Sequence, residues 1–340
     1  MPSSTPITPE RVDWQQDAPF SQRYGDRYHT SSGAHAQARH VFLGGCELPA
    51  RWLQPAQASA TPATWVMLET GFGLGLNFLS AWALWRATTD KRPARLRFVS
   101  TEAHPVSADT IARAARHANA ELRPLGLQLA GRWPIQDRQN GTDTTHLTGG
   151  IEGIERSKTP LASHRRPKAT TRHQSSFMRA ETSPALSPDD IHLSFDDDEV
   201  ELIVLIGDAR QRLTALLQSH GALGAHSVFL DGFDPRKNPA IWHEDTLKTV
   251  AAHCQPDARL ATWSVSRPVR DALRAAGFIA QKRPGLPPKR HCLSASLSMP
   301  DRGHAPTLVV VDTKGWRMSC TPRERGAETN AETNKCMTRS

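Results

Sequence analysis

The residues best suited to chemistry stand in three short groups. The first is ETGFGLGLN, residues 69–77. Glycines at every second position let a ligand approach the backbone, and a helix opening behind them offers unpaired N–H groups. A dinucleotide fingerprint reads G-x-G-x-x-G, but Leu76 occupies the place of its third glycine. The spacing is instead E-x-G-x-G-x-G. An acid two residues ahead of the glycines suits a ligand carrying an ammonium group, such as the methionine end of S-adenosylmethionine, and repels a pyrophosphate. Glu69, Gly71, Gly73, Gly75 and Asn77 are therefore candidate donor-binding residues. A tight strand-to-helix turn without a ligand is the plain alternative.

The second group is a pair of acids, Glu102 and Asp208, each closing an apolar run. At the carboxyl end of a strand Glu102 can accept both ribose hydroxyls of a nucleoside, and Asp208 can receive an adenine amino group. Acids also cap strand ends without binding anything, so joint placement is what gives the pair meaning. The third group is DGFDPRKNP, residues 231–239. Methyl transfer to nitrogen needs a neutral amine with its lone pair aimed at the methyl group. A carboxylate can hold an amine N–H, orient it and receive its proton. Asp231 is the candidate for that catalytic role. Phe233 can stack on a base, and Arg236 and Lys237 can hold phosphates. A turn with solvated charges is the competing reading.

These groups need elements to bring them together. Residues 65–71, 96–102, 200–208, 227–233 and 259–265 read as buried strands. Helical patterns cover 74–86, 107–120, 209–220, 239–253 and 268–276, and 278–297 closes as an antiparallel hairpin. Strand, glycine loop, helix and strand in alternation specify an α/β protein with a doubly wound, Rossmann-like sheet of about seven strands. The core is expected over residues 60–298, behind an irregular N-terminal extension (1–60) that contributes to the substrate pocket. Between Arg156 and Arg179 there are seven Lys or Arg and no acid, so 137–187 is expected to be a disordered basic insertion. It is either a passive loop or an arm that helps hold RNA. Residues 299–340 read as a disordered tail.

The charge of +8 mildly favours a polyanionic partner. Five cysteines, scattered and never in a CxxC pair, imply reduced thiols and no metal site. The N-terminus lacks a signal-peptide pattern, and no apolar run nears the roughly 20 residues of a membrane span. A cytoplasmic protein without a membrane partner is the expectation.

Several segments together resemble one family, the methyltransferase half of the bifunctional MnmC enzymes. They are YGDRY (24–28), VFLGG (41–45), LPARW (48–52), LETGFGLGLNF (68–78), FVSTEAHP (98–105), LIGDA (205–209), FLDGFDPRKNPAIW (229–242) and PPKR (287–290). The resemblance covers residues 10–298 apart from the insertion. It implies an S-adenosylmethionine-dependent methyltransferase fold and a methyl transfer to tRNA. The acceptor is the exocyclic amine of 5-aminomethyl-(2-thio)uridine at the wobble position, and the product is 5-methylaminomethyl-(2-thio)uridine. By this likeness Glu69, Gly71, Gly73, Gly75, Glu102 and Asp208 contact the methyl donor and Asp231 is the catalytic carboxylate. The Tyr24–Tyr28 segment helps form the uridine pocket. Apart from the likeness, Phe233, Asp234 and Lys237 are further candidates for contact with tRNA.

The chain departs from the family pattern in three places. Asp234 stands where a small residue is usual, putting a second carboxylate near the amine, and Cys46 replaces a common asparagine. Bifunctional members continue into an FAD-dependent oxidase. Here PTLVVV (306–311) looks like its opening strand, but DTKGW follows and no phosphate-binding loop does. The expectation is the stub of a lost oxidase, no FAD, and a separate oxidase protein as a possible partner. Two other functions fit the same residues: a small-molecule amine methyltransferase and a non-catalytic RNA-binding remnant.

Overall fold

A computed structural model describes residues 7–15, 18–29, 33–53, 64–90, 92–136 and 187–297. The expected disordered insertion, all but Ser187, and the expected oxidase stub lie outside these residues. In chain order the elements begin with three short strands, β1 (Val12–Gln15), β2 (Ala18–Ser21) and β3 (Asp26–Arg27). Helix α1 (Ala34–Gln37), a π-helical turn (Ala38–Leu43) and α2 (Ala50–Leu53) follow. The alternating part runs β4 (Thr64–Thr70), α3 (Leu76–Ala87), β5 (Arg95–Glu102), α4 (Ala108–His117) and α5 (Leu122–Arg132). It continues through β6 (Ile191–Phe195), β7 (Val200–Ile206), α6 (Ala209–His220) and β8 (Ala225–Leu230). A 3-10 turn (Ala240–Trp242), α7 (Glu244–Ala252), β9 (Cys254–Thr262), α8 (Arg267–Ala275), β10 (Phe278–Pro284) and β11 (His291–Leu297) complete it.

The main sheet has eight strands in the order β10-β11-β9-β8-β4-β5-β7-β6. Strands β9, β8, β4, β5 and β7 are parallel. Strand β6 pairs antiparallel on one edge, and the hairpin β10–β11 pairs antiparallel on the other. The chain enters at β4, moves outward to β5 and β7, then returns to place β8 and β9 on the opposite side. That reversal opens a crevice at the carboxyl ends of β4 and β8, where open α/β sheets bind ligands.

Strand β4, TWVMLET, is buried at every position because helices cover both faces of the sheet. Trp65 and Met67 join one core with Phe78, Trp82, Phe98 and Leu129. Val66 and Leu68 join the other with Leu216, Val250, Leu260 and Leu273. Helices α3, α4 and α5 thus lie on one face and α6, α7 and α8 on the other. Burying each large apolar side chain contributes about 1.5–3 kcal/mol, which is what fixes the strand ends in register.

The structure corrects the sequence reading in two respects. The count of about seven strands misses β6, whose IHLSF carries only two fully buried positions and therefore a weak apolar signal. The N-terminal extension is not irregular throughout, since β1–β3 form an antiparallel sheet. That sheet docks on the segment after β5, where Glu10 N donates to Pro105 O at 2.9 Å. Its attachment carries both tyrosines of the chain to the carboxyl edge of the main sheet.

Candidate active site

A cavity of about 800 Å³ opens at that carboxyl edge. Its walls come from the β4–α3 loop, the end of β5, the Gly207–Ala209 turn, the loop after β8, the Tyr24–His29 segment and the β10–β11 turn. All three sequence groups contribute to it. Asn77, Glu102, Asp208, Asp231, Phe233, Asp234, Tyr24, Tyr28, Gly71 and Gly73 line the cavity, but Glu69, Gly75 and Lys237 do not.

The glycine loop provides shape. Gly71 has a φ of 83°, and a Cβ there would lie 3.3 Å from the Asp231 carbonyl oxygen. Gly75, at φ 73°, caps α3, and its Cβ would meet the Phe72 ring at 2.8 Å and Leu129 at 3.1 Å. The amides of Gly71 and Phe72 donate to Thr101 O, and that of Gly75 donates to Phe72 O. Those N–H groups are therefore not the ligand donors the sequence suggests.

Glu69 is the main correction. It is 1% exposed, and each oxygen accepts a hydrogen bond within the protein: Asn77 Nδ2 donates to Oε1 at 2.9 Å and Ser100 Oγ to Oε2 at 2.8 Å. Because β4 is buried on both faces, its acid points beneath the loop and does not reach the cavity. The carboxyl is held well above the ordinary range by burial, and the nearby Asp231 raises it further. Its work is to hold Asn77.

Asn77 Nδ2 also donates to Asp231 Oδ2 at 2.7 Å, so one side-chain amide joins two carboxyls. Asp231 Oδ1 accepts from Trp263 Nε1 and from Gly232 N, both at 2.9 Å. Thr70 Oγ1 ties down the backbone, donating to Asp231 O at 2.9 Å and accepting from Asp231 N at 3.1 Å. Burial raises the Asp231 carboxyl, while the Gly232, Asn77 and Trp263 donors and the Lys289 charge oppose that rise. A desolvated, fully oriented carboxylate at the bottom of a cavity is suited to holding and deprotonating an amine.

Glu102 faces the cavity as expected. Gly73 N donates to its Oε2 and His104 N to its Oε1, each at 2.8 Å. Each oxygen keeps a second lone pair for a hydroxyl. Asp208 lines the cavity while its Oδ1 caps α6, accepting from Gln211 N at 3.0 Å. Thr101, 1% exposed, also lines the cavity, and its Oγ1 has no hydrogen-bond partner among the described residues. An orphaned hydroxyl beside a glycine cradle and a nucleoside-sized hollow fits a donor such as S-adenosylmethionine.

Aromatic rings make the opposite wall. Tyr24 stacks on Phe233 with centroids 4.5 Å apart, and Tyr28 meets it edge-on at 5.2 Å. Burial raises both tyrosine hydroxyls, so they stay protonated at neutral pH. Asp234 is paired bidentately with Arg236 at 3.0 Å, which lowers its carboxyl to about 2. It is thus not the unpaired second carboxylate the sequence implied. Lys237 is turned away from the cavity: its Nζ bonds Gly25 O and stands 3.4 Å from Asp26 Oδ1. With Asp234 N donating to Asp26 Oδ2 at 3.0 Å, it pins the tyrosine segment to the loop after β8.

Sequence reasoning missed Glu10, Asp26, Trp263 and Lys289, which also line the cavity or hold its wall. Trp263 directly follows β9, so the strand-end rule that found Glu102 applies to it too. Among the described residues no group of His, Cys, Asp and Glu is placed to hold a metal ion. No helix there is long and apolar enough to cross a membrane.

Comparison with known proteins agrees with this geometry. Residues 174–298 match a family described as S-adenosyl-L-methionine-dependent methyltransferase. A crystal structure of MnmC2 from Aquifex aeolicus superimposes with a TM-score of 0.54 at 19% identity, over 86% of this chain and 72% of that one, a likeness of fold. Fold and site together define an S-adenosylmethionine-dependent methyltransferase. Two relatives are named tRNA 5-methylaminomethyl-2-thiouridine biosynthesis bifunctional protein MnmC. That of Delftia acidovorans is 40% identical over 296 residues, 87% of this chain. That of an Acidovorax species is 41% identical over 288 residues, 84% of this chain. The chain is similar to the methyltransferase half of these MnmC proteins and spans 35% of their length.

Proposed function

We propose that this chain transfers a methyl group from S-adenosylmethionine to the exocyclic amine of 5-aminomethyl-(2-thio)uridine at the tRNA wobble position, giving 5-methylaminomethyl-(2-thio)uridine. The observation that carries the reading is Asp231, a half-buried carboxylate fixed by Asn77, Trp263 and Gly232 and facing an aromatic wall. The names of the relatives supply the nucleoside. A tRNA substrate goes with a cytoplasmic site of action.

Glycines 71 and 73, Thr101, Glu102 and Asp208 are the residues that would hold the donor, Glu102 on the ribose and Asp208 on the adenine. Bound there, S-adenosylmethionine supplies a methyl group on a positively charged sulfur. Asp231 accepts one N–H of the substrate amine, aims the nitrogen lone pair and receives a proton as the nitrogen becomes cationic. Asn77 and Trp263 keep its oxygens from rotating, and Glu69 keeps Asn77 in place. Tyr24, Tyr28 and Phe233 offer π faces to a uracil ring and keep water from the amine. The Tyr24–Phe233 stack leaves no gap between the rings, so a base packs against the pair.

The test uses methyl-labelled donor and two tRNA preparations, one carrying the wobble aminomethyl group and one lacking it. Label is expected in the first only. Equal labelling of both, or labelling of small amines with neither tRNA modified, replaces this acceptor with another.

A further inference from the structure

Lys289 lines the same cavity as Asp231 but makes no side-chain hydrogen bond or ion pair among the described residues. Its Nζ lies 3.0 Å from the centroid of the Trp263 ring. Trp263 in turn donates its indole N–H to Asp231 Oδ1 at 2.9 Å. A cation on the π face polarises the indole and strengthens that N–H as a donor. The turn that carries Lys289 is built without room for another side chain. A Cβ on Gly285 would stand 2.6 Å from Lys289 O and 2.8 Å from His291 N. Lys289 N closes the turn on Leu286 O at 2.7 Å.

The neighbouring charges leave Lys289 a distinct task. On β4, Glu69 has no cation beside it and shares only the Asn77 amide with Asp231. Glu102 after β5 is bonded by backbone amides. In the loop after β8, Asp234 is held by Arg236, and Asp26 on the tyrosine segment is held by Lys237. Among the described residues, Lys289 is therefore a cation left facing Asp231 from the β10–β11 turn. Asp231 and Lys289 attract one another electrostatically, and burial brings the Lys289 ammonium down to about 8.

We infer that Lys289 is a positioning residue that keeps Asp231 ionised, acting through space and through the Trp263 ring as the counter-charge of an otherwise acidic, desolvated floor. Without it, a buried and a half-buried carboxyl bridged by one amide favour holding a proton, and a protonated Asp231 is a poorer acceptor for an amine hydrogen. The inference rests on Asp231 standing beside the transferred methyl group.

Donor affinity tests it without any tRNA, so failure of the tRNA assay and failure here are separate results. S-adenosylmethionine is cationic at sulfur and S-adenosylhomocysteine is neutral there. The ratio of their dissociation constants reports the charge of Asp231, because their shared groups cancel. Calorimetric titrations from about pH 5 to about pH 9 are run on wild type, Lys289→Met and Lys289→Arg, with Lys289→Gln replacing Met if that variant does not melt like wild type. The ratio should turn in favour of the sulfonium as Asp231 ionises. In Lys289→Met the midpoint should move up by about one pH unit, a typical effect of losing a nearby opposite charge. Lys289→Arg should keep the wild-type midpoint. The same pH dependence of the ratio in wild type and Lys289→Met, or a shift in Lys289→Arg as large as in Lys289→Met, overturns the inference.

Discussion

Two carboxyls, the buried Glu69 and the half-buried Asp231, meet across the side-chain amide of Asn77. Burial pushes both upward, and Glu69 has fewer charged or polar groups to oppose that rise. The folded chain therefore holds a proton on Glu69 to higher pH than the unfolded chain does. Its contribution to stability is complete below that range and is lost as pH rises through the raised folded value. Glu69→Gln keeps the hydrogen-bonding shape without the titration. The melting temperature of wild type is expected to fall more between about pH 5 and about pH 8 than that of the variant. Equal slopes in a thermal-shift series would place the proton elsewhere. The motif E-x-G-x-G-x-G made Glu69 visible, but not its direction, because which way a side chain points from a strand buried on both faces depends on the helices packed above it.

The elements explain why some site residues were legible and others were not. Apolar strands ending in an acid or a glycine announced Glu102, Asp208 and Asp231, since the carboxyl edge of a parallel sheet is where a ligand can reach. Tyr24 and Tyr28 gave no such signal. They arrive on a separate three-stranded sheet that docks through Val12 and Trp14 on the main core and through Glu10 N on Pro105 O. Lys237 holds that segment through Gly25 O and Asp26, where sequence alone suggested a phosphate contact. Such a partly exposed charged contact contributes about 1 kcal/mol, between a charged hydrogen bond and a surface ion pair. Lys237→Met is thus expected to raise the acceptor KM roughly fivefold while leaving donor affinity unchanged. If kcat and donor binding fell instead, Lys237 would belong to the donor side.

The described residues form a sheet with a parallel centre and a ligand crevice at its reversal point, walled also by the Tyr24–His29 segment and the β10–β11 turn. That architecture followed from the alternation of strand and helix patterns. Strand β6 did not, because an edge strand is half exposed and its apolar pattern is short. The net charge of +8 gives the chain a general attraction for a polyanion. Binding of tRNA is expected to weaken as salt rises, with log affinity falling by about 0.7–0.9 per phosphate contact for each unit of log salt. Removing residues 140–185, which hold the seven-residue basic cluster, should flatten that slope if the cluster touches RNA. An unchanged slope makes it a passive loop.

The most direct measurement combines acceptor and carboxylate. Wild type and Asp231→Asn are each incubated with S-adenosylmethionine and tRNA from cells lacking this methylation, and the wobble nucleosides are identified by mass spectrometry. Wild type should convert the aminomethyl nucleoside to one a single methyl group heavier. Asp231→Asn should do so about 10²–10⁴ times more slowly, the usual contribution of a positioned acid or base, with donor affinity retained. A wobble nucleoside left unmethylated by wild type, or methylated equally fast by Asp231→Asn, would contradict the mechanism proposed for this site.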